Sequence, residues 1–97
     1  MSELEEITQK IQANLPRLKS HYQIKYLGLF GSYLSGRINR QSDLDLLVDF
    51  DSSITLFQFV ALKRELSRLT GKKVDLVMKT ALKPGIGKYI LKEVRYL

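Results

Sequence analysis

Three aspartates and one glycine-serine pair hold most of the chemistry this 97-residue chain can offer. Gly31-Ser32 ends an apolar run over residues 24–30. Asp43-Leu44-Asp45 follows after a gap of ten residues and leads into Leu46-Leu47-Val48. Asp75 sits between apolar neighbours in a later run over residues 73–78. Side chains on a strand alternate faces, so Asp43 and Asp45 point the same way, about 7 Å apart along the backbone. Two carboxylates on one face are costly unless a cation lies between them. Mg²⁺ is a hard cation that takes carboxylate oxygens together with substrate phosphates. Two such ions serve phosphoryl and nucleotidyl transfer, one at the attacking oxygen and one at the leaving group. That chemistry calls for a third carboxylate, and Asp75 can supply it if its strand lies beside the Asp43/Asp45 strand. Gly31 lets the backbone turn where a side chain would intrude. Ser32 offers a hydroxyl and an N–H at the start of a helical turn, which suits phosphate.

Each piece has a simpler reading. An Asp-x-Asp occurs on solvated strand edges, a Gly-Ser pair makes an ordinary turn, and a lone Asp75 is an ordinary strand residue. The combination in this order and spacing favours a metal-triphosphate site.

The elements that must position these residues are legible from periodicity. The runs over 24–30, 44–50 and 73–78 are short and rich in β-branched, leucine and aromatic residues, so they read as strands. Ser2-Glu3-Leu4-Glu5 has the form of a capping box, and Leu4, Ile7, Ile11, Leu15 and Leu18 follow helical spacing. Pro16 is expected to kink or interrupt that helix. Residues 39–42 read as a loop. A second helix starts near Ser53 or Thr55, with Leu56, Phe59, Val60, Leu62, Leu66 and Leu69 as one broad apolar face and Gly71 as its stop. Pro84-Gly85 breaks the chain, and a last helix runs from Ile86 to about Tyr96. The expected fold class is α/β (α+β), a small mixed β-sheet backed by helices.

The phrase Leu27-Gly28-Leu29-Phe30-Gly31-Ser32, with Ser42-Asp43-Leu44-Asp45-Leu46-Leu47-Val48, resembles the DNA polymerase β-like nucleotidyltransferase superfamily. Its signature is Gly-Ser, a spacer and Asp-x-Asp. The short chain resembles the minimal nucleotidyltransferase group most, over residues 5–95. The resemblance implies a polymerase β-like fold and ATP bound through two Mg²⁺ ions. It implies Gly31 and Ser32 on the triphosphate, with Asp43, Asp45 and Asp75 as metal ligands and catalytic carboxylates. It also implies a partner, a helical HEPN-domain protein that is a toxic ribonuclease. This chain would be its antitoxin, transferring AMP to a tyrosine of the toxin. Many relatives carry an Arg where this chain has Ser35, between Leu34 and Gly36; Arg37 and Arg40 are nearby substitutes.

Composition sets the outer bounds. The length suits a single domain over residues 1–97. Hydrophobic residues are 44% and charged residues 27%, ordinary for a globular chain. The absence of cysteine excludes disulfides, thiolate zinc sites and cysteine nucleophiles, and fits the cytoplasm. The acidic N-terminus is not a signal peptide, and no apolar run reaches membrane-spanning length. Residues 1–60 hold six Lys/Arg and seven Asp/Glu, whereas residues 61–97 hold ten and three, so the net +6 is −1 plus +7. A basic C-terminal third attracts nucleotide, nucleic acid or an acidic protein, or is a solvated face.

Other candidates are weaker. His21, the single histidine, suits a helix C-terminus better than catalysis. Tyr33 packs or stacks near a base, and Lys83 and Lys88 reach phosphates or solvent. A domain this short has no room for an acceptor-binding module, which favours a protein acceptor supplied in trans. Two alternatives to catalysis stay open: an antitoxin that neutralises its partner by binding alone, and a basic nucleic-acid-binding domain.

Overall fold

The computed structural model describes residues 2–31 and 43–97. Helix α1 spans Glu3–Tyr22 and strand β1 follows at Ile24–Phe30. Strand β2 is Leu44–Phe50, helix α2 Leu56–Thr70 and strand β3 Val74–Met78. A 3₁₀ turn at Lys79–Ala81, helix α3 at Pro84–Glu93 and the short strand β4 at Arg95–Tyr96 complete the chain.

Local chemistry sets the ends of the long helices. Ser2 caps α1 by accepting the Glu5 N–H at 3.1 Å. Glu3, Glu5 and Glu6 occupy the first turn, where the helix dipole favours negative charge. Gln23 ends α1 in the left-handed region, at φ 57°. Thr55 and Gln58 form a reciprocal capping box at the start of α2, and Gly71 ends it at φ 69°. Pro16 does not interrupt α1, contrary to the sequence reading. It lies on the exposed side of one continuous helix of 20 residues, while Ile11, Leu15, Leu18 and Tyr22 are buried to either side of it. Burial of that face outweighs the single backbone hydrogen bond a proline forfeits.

The sheet is mixed, with strand order β3-β2-β1-β4. β1 pairs antiparallel with β2 and with β4. β2 pairs parallel with β3 through the α2 crossover, as parallel neighbours require. Between Ile24 and Tyr26 the β1–β2 register shifts by one residue, leaving Lys25 as the extra residue of a bulge. Beyond it, Leu27 and Leu29 of β1 face the same side as Leu44, Leu46 and Val48 of β2. These join Ile7, Ile11, Leu15 and Leu18 of α1, Leu62 and Leu66 of α2, and Val74 and Leu76 of β3 in one core. The helices α1 and α2 thus cover one face of the sheet. Asp43, Asp45, Leu47 and Asp49 alternate onto the other.

Two further expectations need correction. The last helix stops at Glu93, and Arg95 and Tyr96 pair instead with Leu29 and Gly28. Leu97 N–H then donates to Leu27 C=O at 2.9 Å. The open edge of β1 offers unpaired backbone groups, and satisfying them competes with continuing the helix. The apolar positions of α2 are also not one face. Phe59, Leu62, Leu66 and Leu69 pack inward, but Leu56 is 75% exposed and Val60 sits at the surface. No helix among the described residues is long and apolar enough to cross a membrane.

Candidate active site

β1 ends at Phe30, and Gly31 turns the chain with φ at +80°. This left-handed conformation is one that glycine adopts without steric cost. Phe30 pairs with Asp45, so the turn is set against the first residues of β2. The consequence is close contact. A Cβ on Gly31 would overlap the Asp45 carboxylate, lying 2.9 Å from its Cγ as well as on its Oδ2. Gly31 therefore serves two needs, a positive φ and the volume occupied by Asp45.

Asp45 is held on its other flank by the parallel register with β3, which sets Asp45 directly beside Asp75. Neighbouring strands lie about 5 Å apart, and paired residues project on the same face. The Leu44 N–H donates to Lys73 C=O at 2.8 Å and fixes that register at its start. Asp43 precedes β2 by one residue and shares the face of Asp45. Asp43 and Asp45 are half-buried, and Asp75 is exposed. The structure thus brings Asp43, Asp45 and Asp75 to one end and one face of the sheet, beside the Gly31 turn.

Among the described residues, no three acidic or histidine side chains converge tightly enough to form a ready-made metal cage. The donor set is nevertheless one that suits Mg²⁺. It is all oxygen, carried on adjacent strands, and one of its carboxylates fills the cradle that the glycine leaves open. Mg²⁺ takes one or two carboxylates and completes its shell with phosphate and water, so a full protein cage is not its habit. Ser32, Tyr33, Ser35, Arg37 and Arg40 lie outside the described residues.

The remaining candidates fall elsewhere. His21 occupies the last turn of α1, edge-on to Tyr22 with ring centroids 4.6 Å apart. Lys83 is the N-cap residue of α3 and Lys88 lies within that helix, both exposed. Sequence reasoning missed Gly28. A Cβ there would approach Val94 Cγ2 to 2.5 Å and Arg95 O to 3.2 Å, so the chain's last segment crosses β1 where there is no side chain. The signal was a glycine amid leucines and aromatics, which marks close backbone approach.

A second polar cluster ties the two long helices together. Tyr22 Oη donates to Glu65 Oε2 at 2.7 Å, and Arg17 Nη1 lies 2.6 Å from Glu65 Oε1. Burial, reinforced by the Glu65 carboxylate, pushes the Tyr22 phenol up to about 12. The hydrogen bond from Tyr22, supported by Arg17, holds Glu65 below its ordinary value against the opposing effect of burial.

A model of the nucleotidyltransferase domain family matches residues 11–97. The protein adenylyltransferase MntA of Thermococcus cleftensis is 42% identical over 97 residues, spanning all of this chain and 98% of its own length. A solved candidate minimal nucleotidyltransferase superposes with a TM-score of 0.84 at 34% identity, covering 97% of this chain and 95% of that one. A more distant likeness in fold is a Shewanella oneidensis complex of a tri-AMPylated HEPN toxin with its MNT antitoxin. It superposes with a TM-score of 0.60 at 18% identity, covering 97% of this chain and 67% of that one. The family match runs through the glycine turn and all three aspartates that the sheet gathers, and the chain accordingly belongs to the nucleotidyltransferase domain family as a minimal member and an enzyme of that type.

Proposed function

We propose that residues 1–97 act as one catalytic domain in the cytoplasm, transferring AMP from ATP to a tyrosine of a HEPN-domain ribonuclease toxin and so silencing it as its antitoxin. The observation that carries this reading is the register that sets Asp45 beside Asp75, with Asp43 on the same face and Gly31 against Asp45. Two relatives support the target class. One is named a protein adenylyltransferase, and a fold neighbour is an antitoxin in complex with an AMPylated HEPN toxin. Another fold neighbour is a toxin-antitoxin complex with AMP-PNP, a nucleotide of the expected class.

In this account Asp43, Asp45 and Asp75 hold Mg²⁺, and Gly31 and Ser32 hold the triphosphate. Mg²⁺ held by these carboxylates would supply charge neutralisation at the phosphates and would lower the pKa of the acceptor hydroxyl. The tyrosine oxygen attacks the α-phosphorus, and the bond from that phosphorus to the bridging oxygen of pyrophosphate breaks. The tyrosine proton passes to Asp75 or to solvent, and pyrophosphate leaves. Asp75 is exposed on the sheet face opposite the two long helices, which suits a protein acceptor.

The test is mass spectrometry of the HEPN partner after incubation with this chain, ATP and Mg²⁺. A gain of one or more adenylyl groups on tyrosine is the expected result. An unmodified partner that is nonetheless bound and silenced would replace catalysis with simple occlusion.

A further inference from the structure

Helix α2 carries a second stripe of side chains that the core does not use. Phe57 is 88% exposed and Leu56 is 75% exposed, and with Val60 they form the apolar wall of an open groove of roughly 690 Å³. Tyr22, at the C-terminal end of α1, lines the opposite side. Two large apolar residues exposed side by side in the first turn of a well-capped helix are not explained by the core. Arg64 and Arg68 continue the stripe. From Leu56 to Arg68 it runs about 18 Å, three turns of helix.

The charge of the groove selects its occupant. Glu65 is its one carboxylate, and it is already engaged by Tyr22 and Arg17. Arg64 has no ion-pair partner among the described residues, and Arg68 Nη2 stands 3.9 Å from Glu65. Arg64 and Arg68 against Glu65 leave the lining of the groove at +1, and Arg17 adds a further positive charge beside Glu65. A second copy of this chain, docked face to face about a two-fold axis, would oppose these arginines to themselves. An acidic, apolar helix meets both features, with its ridge in the groove and its carboxylates at the arginines.

We propose that the groove between the C-terminal end of α1 and the outer stripe of α2 docks an amphipathic helix of the partner protein, one whose apolar ridge is flanked by carboxylates. This rests on the reading of the partner as a helical HEPN-domain protein. The groove and the carboxylates are separated by the sheet: α1 and α2 pack on one face of it, whereas Asp45 and Asp75 alternate onto the other. Docking there tethers the acceptor protein and leaves the catalytic face open to its tyrosine.

The experiment is calorimetric titration of the purified HEPN partner into this chain and into F57S and R64E/R68E, without ATP. Transfer is then assayed separately with ATP and Mg²⁺ at saturating partner. These positions are exposed, so the fold should persist, and circular dichroism checks that it does. Each variant is expected to weaken binding at least tenfold while retaining transfer once the partner saturates. Affinities within twofold of the parent, with the parent binding and transferring, would overturn the groove alone. A parent chain that neither binds nor modifies the partner would overturn this proposal together with the function it rests on. A parent dimer that both variants convert to monomers would overturn it in favour of a second copy.

Discussion

The Asp45 carboxylate occupies the space that a side chain on Gly31 would fill, and Gly31 holds a backbone angle that side chains disfavour. The turn and the Asp45 carboxylate are therefore one structural unit. Gly31→Ala is expected to cost about 1–3 kcal/mol in stability from the left-handed backbone alone. It also displaces Asp45, so transfer should fall more steeply than stability. Urea unfolding read beside the transfer rate separates the two effects. A variant that is destabilised yet fully active at low temperature would break the link.

Asp75 tests the neighbouring strand. It is exposed and paired with Asp45 across the parallel register, so Asp75→Asn should leave the fold unchanged. Transfer should drop by roughly 100-fold or more, because a metal-binding or proton-accepting charge is lost where the reaction needs it. Steady-state rates across a Mg²⁺ titration would read this. An unchanged rate would remove Asp75 from the site.

Gly28 governs the docking of the chain's end. Gly28→Val would drive methyl groups into Val94 and the Arg95 carbonyl. The expected cost is about 1–3 kcal/mol, with loss of the β4 pairing. Hydrogen exchange at Leu97 N–H, which is bonded to Leu27 C=O, should rise before the core amides are affected.

The Tyr22–Glu65 pair makes stability depend on pH at both extremes. Glu65 titrates lower when folded, so its contribution is complete above the ordinary 4.5 and is lost as pH falls below that value. Tyr22 titrates higher when folded, so its contribution is complete below 10.0 and is lost as pH climbs from there towards about 12. Tyr22→Phe should cost about 1–3 kcal/mol at neutral pH, because a half-shielded carboxylate loses its donor. Urea midpoints from acid to alkali for the parent and the variant would show the alkaline loss shrinking.

Much of this architecture was legible in the amino-acid sequence, because its strongest signals are local. Residues 24–30 and 44–50 became β1 and β2 within the expected bounds. Thr55 and Gly71 bounded α2 as their chemistry suggested. What escaped was decided by distant partners. Two residues, Arg95 and Tyr96, carry no periodic pattern, and only the open edge of β1 makes them a strand. Pro16 reads as a break until the buried residues around it hold the helix together. Leu56 and Val60 fit the apolar spacing of α2, yet nothing local says that the core stops short of them. The pairing of Asp45 with Asp75 depended on a crossover of more than twenty residues. The three carboxylates were legible as types, whereas the register that gathers them came only with the fold.

The most direct test of the catalytic account compares the parent chain with Asp43→Asn/Asp45→Asn, each incubated with the HEPN partner, ATP and Mg²⁺ and read by intact-protein mass spectrometry. The account requires adenylyl groups on the partner with the parent chain and none with the double variant, which should still bind the partner. Equal modification by both chains would contradict the assignment of these aspartates. A partner silenced equally by both, with no adenylyl group on either, would contradict catalysis itself.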